Sequence, residues 1–475
     1  MDGKASSKGV ILLLKPDIVK KLIKILGKEN VFTDKEDLIC YSYDSTPYDH
    51  LPDIVVAPAN TEEIVAIVKL ANEHNFPVIP RGGGTNLSGG TVPIMGGLVM
   101  ALHRMNKIIE IDDANLTATV EPGVITATLH QAVEKEGLFY PPDPQSMFMC
   151  TIGGNVAENA GGPRGVKYGV TKDYILGVEA VTPTGDVVHF GGKTIKNVSG
   201  YDLIRLFAGS EGTLGIITQI TLRLIPKPEA KRTLLAIFER LDDAAKTVSG
   251  IIKQRIIPTT LELMDQKTME LIEAFMPSGL PTDAEGALLI EADGSKLDVD
   301  RQISVIEEMC KTCGAREVKV AQDLGQEAQL WAGRRSAFGA MARSARQVIS
   351  EDATVPRSKV PDIVRIIQQI ATKYQLSVPI LGHTGDGNMH PNILVMKQDE
   401  EEMKRVDAAI DEMFKAALDL GGTLSGEHGI GLSKQKYMKW QFDKPSLDMM
   451  RAIKKAVDPN NILNPGKIFL KGEPE

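Results

Sequence analysis

The fold is decided by residues 80–90, which read PRGGGTNLSGG. This glycine-rich loop directly follows the apolar run PVIP, which predicts a β-strand. Glycine lets the backbone take positive φ and come close to a ligand. Successive N–H groups can then wrap a phosphate, and Thr85, Asn86 and Ser88 add neutral donors. Taken alone, a glycine run also fits a flexible surface loop.

Three further glycine-rich turns favour the ligand-binding interpretation. They lie at residues 153–155, 161–163 and 209–216, each at the edge of a predicted strand or helix. A large, elongated ligand needs several such close approaches of backbone. The loops differ from other nucleotide motifs: residues 82–90 do not open a helix, as a Rossmann fingerprint requires, and no GK[ST] follows, as a P-loop requires.

Composition indicates a globular protein of two or three domains. The chain has 475 residues, 43% hydrophobic and 24% charged, with a formal net charge of −8. There is no Lys/Arg block, so we expect no nucleic-acid partner. The apolar stretch at residues 10–14 is interrupted by Lys15 and Pro16, and no run approaches the roughly 18 apolar residues of a membrane span. We expect a cytoplasmic protein whose membrane contact, if any, is peripheral.

The four cysteines suit a reducing compartment. Cys310 and Cys313 form a single CxxC, which could serve redox chemistry or a metal. A tetrahedral cysteine site needs a second pair, and the sequence has none. We therefore interpret the segment EEMCKTCGA as the end of an amphipathic helix with one buried cysteine.

The predicted elements change character along the chain. Residues 16–50 predict two short helices, and residues 54–84 predict a strand-helix-strand unit whose helix begins at Thr61. From residue 81 to 228, short β-rich runs alternate with glycine loops. From residue 229 to 425, strands and amphipathic helices alternate without such loops, which indicates an α+β segment with antiparallel sheet. Residues 426–475 are again interrupted by the turn-forming residues Gly, Pro and Asn.

Three of the eight histidines fall between residues 383 and 428. His383 and His390 bracket the turn GDGN, and the flanking runs SVPIL and PNILV predict a hairpin that presents both imidazoles near its mouth. Glu427 and His428 lie in the glycine-rich turn SGEHGIG. Two histidines and a carboxylate are a common ligand set for a divalent metal with open positions. The same residues also fit two unrelated core histidines and a surface glutamate.

Taken in order, the motifs resemble the vanillyl-alcohol oxidase / p-cresol methylhydroxylase flavoproteins. The matching stretches are PRGGGTNLSGG, VEPGV (120–124), PPDPQS (141–146), TIGGNVAENAGG (151–162), YGVTKDYILGVEAVTPTGDVV (168–188) and FAGSEGTLGIITQITLRLIP (207–226). The resemblance covers nearly the whole chain, and its nearest branch contains glycolate oxidase flavin subunits, D-lactate dehydrogenases and D-2-hydroxyglutarate dehydrogenases. It implies an α+β fold: a two-part FAD-binding domain (1–228, divided near residue 100), a cap domain with an antiparallel sheet (229–425), and a C-terminal segment (426–475) that returns to the FAD domain.

The resemblance implies how FAD is held. Residues 82–88 would hold the pyrophosphate, a second group would line the flavin, and Ile216 and Ile217 would meet the adenine-ribose side. The positions assigned to FAD are Pro80, Arg81, Gly82, Gly83, Gly84, Thr85, Asn86, Leu87, Ser88, Gly89, Pro142, Gly153, Gly154, Asn155, Gly162, Gly215, Ile216, Ile217 and Asn464. Several relatives tether the flavin through a histidine in the glycine loop. This loop has none, so we expect non-covalent FAD.

The resemblance also implies the chemistry. His383, His390 and Glu427 would bind a divalent metal (zinc, iron or manganese), and His428 would act as base. The segment LWAGRR resembles the family's LWxxR, which makes Arg334 the residue that grips the substrate carboxylate and leaves Arg335 solvated. Relatives that use a dicarboxylate carry a lysine where this chain has Ser350. We therefore expect a small 2-hydroxy monocarboxylate, of the D-lactate or glycolate class, as substrate.

Electron acceptance is open at this level. Relatives pass electrons to a quinone, an iron–sulfur subunit or an electron-transferring flavoprotein, and the chain is compatible with a homo- or hetero-oligomer. Three alternatives stay open: an oxidase of the same fold that uses O2, a D-2-hydroxyglutarate dehydrogenase, and a non-catalytic flavin subunit of a larger complex.

Overall fold

A computed structural model describes residues 14–470 of the protein. Residues 1–13 and 471–475, which include most of the apolar stretch at 10–14 and the ends of the predicted first and last segments, lie outside the described residues. The expected α+β class is confirmed: helices pack on sheets that are mostly antiparallel. No helix among the described residues is long and apolar enough to cross a membrane.

The first sheet carries the glycine loop. Its strands and helices are β1 (Val31–Phe32), β2 (Ile54–Val56), β3 (Val78–Arg81), β4 (Leu98–Ala101), α1 (Pro16–Leu26), α2 (Lys35–Cys40) and α3 (Thr61–His74). The strand order is β1-β2-β4-β3, with β2 and β3 both parallel to β4. The strand-helix-strand unit is therefore present, with β4 inserted between its two strands. The loop at residues 82–90 leaves the end of β3.

Helix α3 begins at Thr61, as the sequence suggested, but Thr61 is not the residue that caps it. Its N-cap is Asn60, whose side chain accepts a hydrogen bond from the backbone N–H of Glu63. The Thr61 hydroxyl instead donates to Glu179 on a neighbouring strand. Thr61 was expected to begin the helix as its cap, and it is the first helical residue because Asn60 already satisfies the free N–H.

The second sheet is antiparallel and completes the part of the chain before residue 227. Its strands are β5 (Ile108–Asp112), β6 (Thr117–Val120), β8 (Ile175–Val181), β9 (Val187–Gly191) and β10 (Ile216–Arg223), in the order β5-β6-β10-β8-β9. The helices of this part are α4 (Thr126–Lys135), α5 (Ile152–Glu158), α6 (Gly165–Tyr168) and α7 (Leu203–Phe207). A short pair joins β7 (Leu138–Phe139) to β11 (Ile225–Pro226). Ile216 packs into the core of the first sheet and Ile217 into that of the second, because adjacent side chains of a strand point to opposite faces.

The third sheet lies within the predicted cap segment, as the alternation of strands and helices indicated. Its strands are β12 (Ala230–Phe238), β13 (Thr260–Asp265), β14 (Gly286–Gly294), β15 (Ala315–Val320), β16 (Gln347–Ser350), β17 (Ala353–Thr354), β18 (Ile380–His383) and β19 (Asn388–Val395). The order is β15-β12-β14-β13-β18-β19-β16, with β17 paired to β19, and every pairing is antiparallel.

Helices cover both faces of this sheet. They are α8 (Leu241–Lys253), α9 (Gln266–Phe275), α10 (Lys296–Thr312), α11 (Leu324–Ser344), α12 (Val360–Tyr374) and α13 (Glu400–Asp419). Side chains of β12 alternate between a core with α8, α10, α12 and α13 and a core with α9 and α11. Cys310 is buried near the end of α10 and Cys313 caps the helix, so the interpretation of the CxxC as a helix end is confirmed.

The segment from residue 426 contacts both parts of the molecule. It contains α14 (Met438–Gln441) and α15 (Lys444–Val457). Tyr437 and Leu447 pack with the core of the cap, whereas Leu463 packs with the first sheet and forms a bridge with Val78. We keep boundaries near residues 228 and 426 as a proposal, since the last segment joins the two parts.

Candidate active site

A cavity of about 480 Å³ lies between the glycine loop and the third sheet. Most of the positions assigned to FAD line it, together with the histidine cluster. From the sequence-based predictions, the lining includes Pro80, Arg81, Gly82, Gly83, Gly84, Thr85, Asn86, Leu87, Gly153, Gly154, Asn155, Gly215, Ile217, His383, His390, Glu427 and His428. The structure therefore brings the glycine loop at residues 80–90 and the histidine cluster, more than 290 positions apart in sequence, into one cavity.

The glycine loop leaves no room for side chains. A Cβ on Gly82 would fall 2.4 Å from the Thr151 hydroxyl, and one on Gly83 would fall 2.5 Å from the Met149 carbonyl oxygen. Asn86 anchors the loop because its amide donates to the Asp44 carboxylate at 2.7 Å. The loop is thus a packed, fixed backbone rather than a flexible surface loop, which suits a cradle for a phosphate group.

Six of the positions assigned to FAD lie behind the cavity wall: Ser88, Gly89, Pro142, Gly162, Ile216 and Asn464. They support the wall. The Ser88 carbonyl accepts the Leu432 N–H, and the Asn464 amide donates to the carbonyls of Gly90 and Glu211. Direct contact of these six positions with FAD stays a prediction, since none of them lines the cavity.

The predicted hairpin presents the two histidines as expected. Strands β18 and β19 pair antiparallel, with His383 opposite Asn388 and Leu381 opposite His390. The Glu427 carboxylate joins them: its Oε1 lies 3.3 Å from His383 Nε2 and 3.1 Å from His390 Nε2. These three ligand atoms all lie within 4.8 Å of one another. Ligands at about 2.1 Å from a shared ion are separated by roughly 3.0–3.4 Å, so the arrangement fits a divalent metal.

A buried carboxylate that sequence reasoning missed lies behind His383. Glu262 Oε1 is 2.6 Å from His383 Nδ1, and the carboxylate is fully buried. Burial opposes the positive charge of His383, yet Glu262 and Glu427 on its two ring nitrogens raise the pKa of the imidazole well above its ordinary value. This site therefore favours a cation between its carboxylates.

A second missed carboxylate, Asp352, shapes the turn that carries Glu427 and His428. It accepts hydrogen bonds from the Ser425 hydroxyl and from the backbone N–H groups of Gly426, Glu427 and His428, at 2.7–3.0 Å. Burial opposes its ionisation, but Lys434 and these N–H groups hold the pKa of Asp352 well below its ordinary value. The turn is therefore wrapped around one buried negative charge.

His428, the predicted base, lies beside His390 in the wall of the cavity. Its ring stacks on that of His390, with centroids 5.1 Å apart and planes 14° apart. Burial lowers the pKa of His428 to about 3, and nearby Lys434 adds to this against the opposing effect of Asp352. The ring is therefore neutral at physiological pH and can accept a proton.

The two adjacent arginines of α11 have different surroundings. Arg334 is buried: its Nη2 lies 2.6 Å from Glu262 Oε2, and its Nη1 donates to the Gln145 side chain at 3.3 Å. Arg335, expected to be solvated, is exposed but lines the cavity, whereas Arg334 does not. The helix turns by about 100° between the two residues, which gives their side chains different surroundings. The cation that faces the cavity on this helix is therefore Arg335.

Ser350 is also in the cavity wall, next to Asn392 across the β16–β19 pair. Both side chains are neutral. The arginine side chains among the lining residues are those of Arg81 and Arg335, and the Arg81 guanidinium already donates to the Tyr43 carbonyl. Glu158 and Glu211 also line the cavity and carried no recognisable motif role. The Glu211 carboxylate accepts hydrogen bonds from the Ile430 and Gly431 N–H groups, which ties this wall to the turn after His428.

The fold and the cavity define a flavin-dependent oxidoreductase. The family model "FAD binding domain" matches residues 52–191, and the model "FAD linked oxidases, C-terminal domain" matches residues 227–468. The chain belongs to the FAD-linked oxidases, and the expectation of an FAD enzyme is confirmed.

Among similar proteins is glycolate oxidase subunit GlcD of Bacillus subtilis, 51% identical over 97% of this chain and 98% of its own length. The Escherichia coli K12 subunit of the same name is 39% identical over 93% and 88%. A D-lactate dehydrogenase of Anaerostipes hadrus is 38% identical over 88% and 90%. Among solved structures, p-cresol methylhydroxylase with substrate bound matches with a TM-score of 0.80 at 21% identity over 97% of each chain. This last likeness concerns the fold alone.

Proposed function

We propose that this protein oxidises a small 2-hydroxy monocarboxylic acid, of the D-lactate or glycolate class, to the corresponding 2-oxo acid. The observation that carries the proposal is that the His383, His390, Glu427 and His428 cluster lies in the wall of the cavity that the glycine loop lines. The names of the similar proteins, glycolate oxidase subunit and D-lactate dehydrogenase, support this substrate class.

The two groups that the reaction needs fit this cavity. The close-packed glycines around residues 82–84 and 153–154 would hold FAD, and the donors of His383, His390 and Glu427 would hold a divalent metal. When bound, FAD supplies a hydride acceptor and the metal supplies Lewis acidity for the substrate hydroxyl. We propose that FAD is non-covalent, as the glycine loop has no histidine.

The chain's own residues handle the proton and the carboxylate. The neutral His428 accepts the hydroxyl proton of the substrate. Arg335, the cation that faces the cavity from α11, binds the substrate carboxylate. This replaces the role first assigned to Arg334, whose guanidinium is engaged with Glu262. A monocarboxylate is favoured because Ser350 and Asn392 offer no second cation.

Electrons leave through a partner or a quinone. We propose a protein acceptor, either an iron–sulfur subunit or an electron-transferring flavoprotein, since two of the similar proteins are named as subunits. If the protein lies in the cytoplasm and contacts the membrane surface, a quinone in that membrane would be within reach as electron acceptor. An oxidase that uses O2 is the competing function, and a reduced flavin that reoxidises in air at the rate of turnover would favour it.

The test is anaerobic flavin reduction. The FAD-loaded protein is mixed separately with D-lactate, glycolate and D-2-hydroxyglutarate, and the loss of oxidised flavin absorbance is followed. We expect rapid reduction by a monocarboxylate and slow reduction by the diacid. His428→Ala should bind FAD and lose reduction, whereas His103→Ala, an exposed histidine outside the cavity lining, serves as the matched control. Absence of reduction by any of the acids would favour a non-catalytic flavin subunit, and preference for the diacid would overturn the substrate assignment.

A further inference from the structure

The third sheet contains a buried charge chain that ends at a predicted metal ligand. Glu262 on β13 lies directly opposite His383 on β18 in the strand register. Its two carboxylate oxygens have different partners: Oε1 is 2.6 Å from His383 Nδ1, and Oε2 is 2.6 Å from Arg334 Nη2. The side chains of Glu262 and Arg334 are 0% and 2% exposed.

Such a pair is a poor choice for stability alone. Taking two charges out of water costs several kcal/mol each, and apolar side chains of similar volume often stabilise a core as well or better. Leu261 and Leu263 flank Glu262 on β13 and point to the opposite face of the sheet, where they pack in the cap core. The position of the pair, directly behind a residue of the metal cluster, suggests that it serves the site.

We propose that Glu262 and Arg334 are positioning residues for His383. By accepting the Nδ1 proton, Glu262 fixes the tautomer and the ring plane, so that the Nε2 lone pair faces Glu427 and His390. Arg334 neutralises Glu262 and holds its second oxygen in place. Carboxylates behind ligand histidines act in this way in metal sites, and their removal weakens metal binding about 10–100-fold.

The two arginines of α11 therefore have different proposed roles. Arg335 faces the cavity and the substrate, whereas Arg334 acts through Glu262 on the metal ligand. The inference rests on the metal site of the proposed function, but it concerns metal affinity and not turnover. Effects of the two arginines should therefore appear in different measurements.

The experiment measures metal binding to the full chain loaded with FAD. Metal-stripped protein is dialysed against buffered zinc and, separately, manganese, and bound metal is counted by mass spectrometry. We expect Glu262→Gln and Arg334→Met each to weaken binding about 10–100-fold. Because they act in series, the double variant should weaken binding little more than the stronger single change. Arg335→Met is the matched control and should leave metal binding unchanged.

Arg334→Met leaves a buried carboxylate without its cation and can prevent folding. The variant Glu262→Met/Arg334→Met removes both charges and avoids this penalty. If this folded, FAD-containing variant binds metal as tightly as the wild type, the inference is overturned. It is also overturned if Arg334→Met raises KM for the acid while metal binding stays unchanged, since Arg334 would then contact substrate. If His383→Ala has no effect on metal binding to the wild-type background, the metal site of the proposed function itself fails.

Discussion

Replacing Asp352 by Asn should damage the turn that carries Glu427 and His428. The carboxylate accepts bonds from Ser425, Gly426, Glu427 and His428, and it lies 3.6 Å from the buried Lys434 ammonium. Asparagine keeps one acceptor oxygen and places an NH2 group against donors. At about 1.5–3 kcal/mol for each bond to a charged group, with incomplete additivity, the loss should be about 3–5 kcal/mol.

The same change should affect the site, because the displaced residues are a proposed metal ligand, Glu427, and the proposed base, His428. A misplacement of about 1 Å can cost a hundredfold in rate, so we expect flavin reduction to slow about 100-fold or more. The measurements are the thermal unfolding midpoint, the FAD content and anaerobic flavin reduction. Ser425→Ala removes one donor to Asp352 and an acceptor for the Gly429 N–H and the Lys434 ammonium, so it should cost about 1.5–3 kcal/mol, less than Asp352→Asn, and serves as the comparison variant. An Asp352→Asn protein with wild-type midpoint and wild-type reduction would refute the account of the turn.

Four other outcomes are expected. Arg335→Met should raise KM for the acid about 10-fold or more, since a charge-assisted bond is lost, while FAD content is unchanged; an unaltered KM would contradict its contact with the carboxylate. Ser350→Lys adds a cation to the cavity wall and should shift the ratio of kcat/KM towards D-2-hydroxyglutarate, whereas Ser350→Met should not. Burial raises the pKa of the Glu351 carboxyl group from 4.5 to about 7 in the folded protein. The free energy of unfolding of the wild type is therefore highest, as far as this group is concerned, below pH 4.5, and this contribution is lost as pH rises through 7. Glu351→Gln does not titrate, so its free energy of unfolding should gain about 3 kcal/mol relative to the wild type between those limits. Finally, FAD should leave the chain on acid precipitation, and flavin retained in the pellet would disprove non-covalent binding.

Local sequence signals predicted much of the fold. The glycine loop after β3, the hairpin of β18 and β19, and the helix ending at the CxxC all depend on contacts between near neighbours in sequence. Backbone freedom of glycine and the alternation of apolar residues are properties of short stretches, so sequence alone is sufficient for them. The sheet order was not predictable in this way: β4 inserts between β2 and β3 because of packing, and no local pattern records it.

The sequence by itself predicted the FAD-binding part of this protein and the four residues of the histidine cluster, because both are recognised from motifs that occur in a fixed order. Only the tertiary structure decided what stands behind those residues. Glu262 meets His383 across 121 positions, and Asp352 meets His428 across 76. It also decided which arginine faces the cavity, since a helix aims neighbouring side chains in different directions and only its packing sets which one points inward. The glycine loop at residues 80–90 is therefore readable as a motif, while the charges that hold the reacting groups depend on strand and helix packing over long separations.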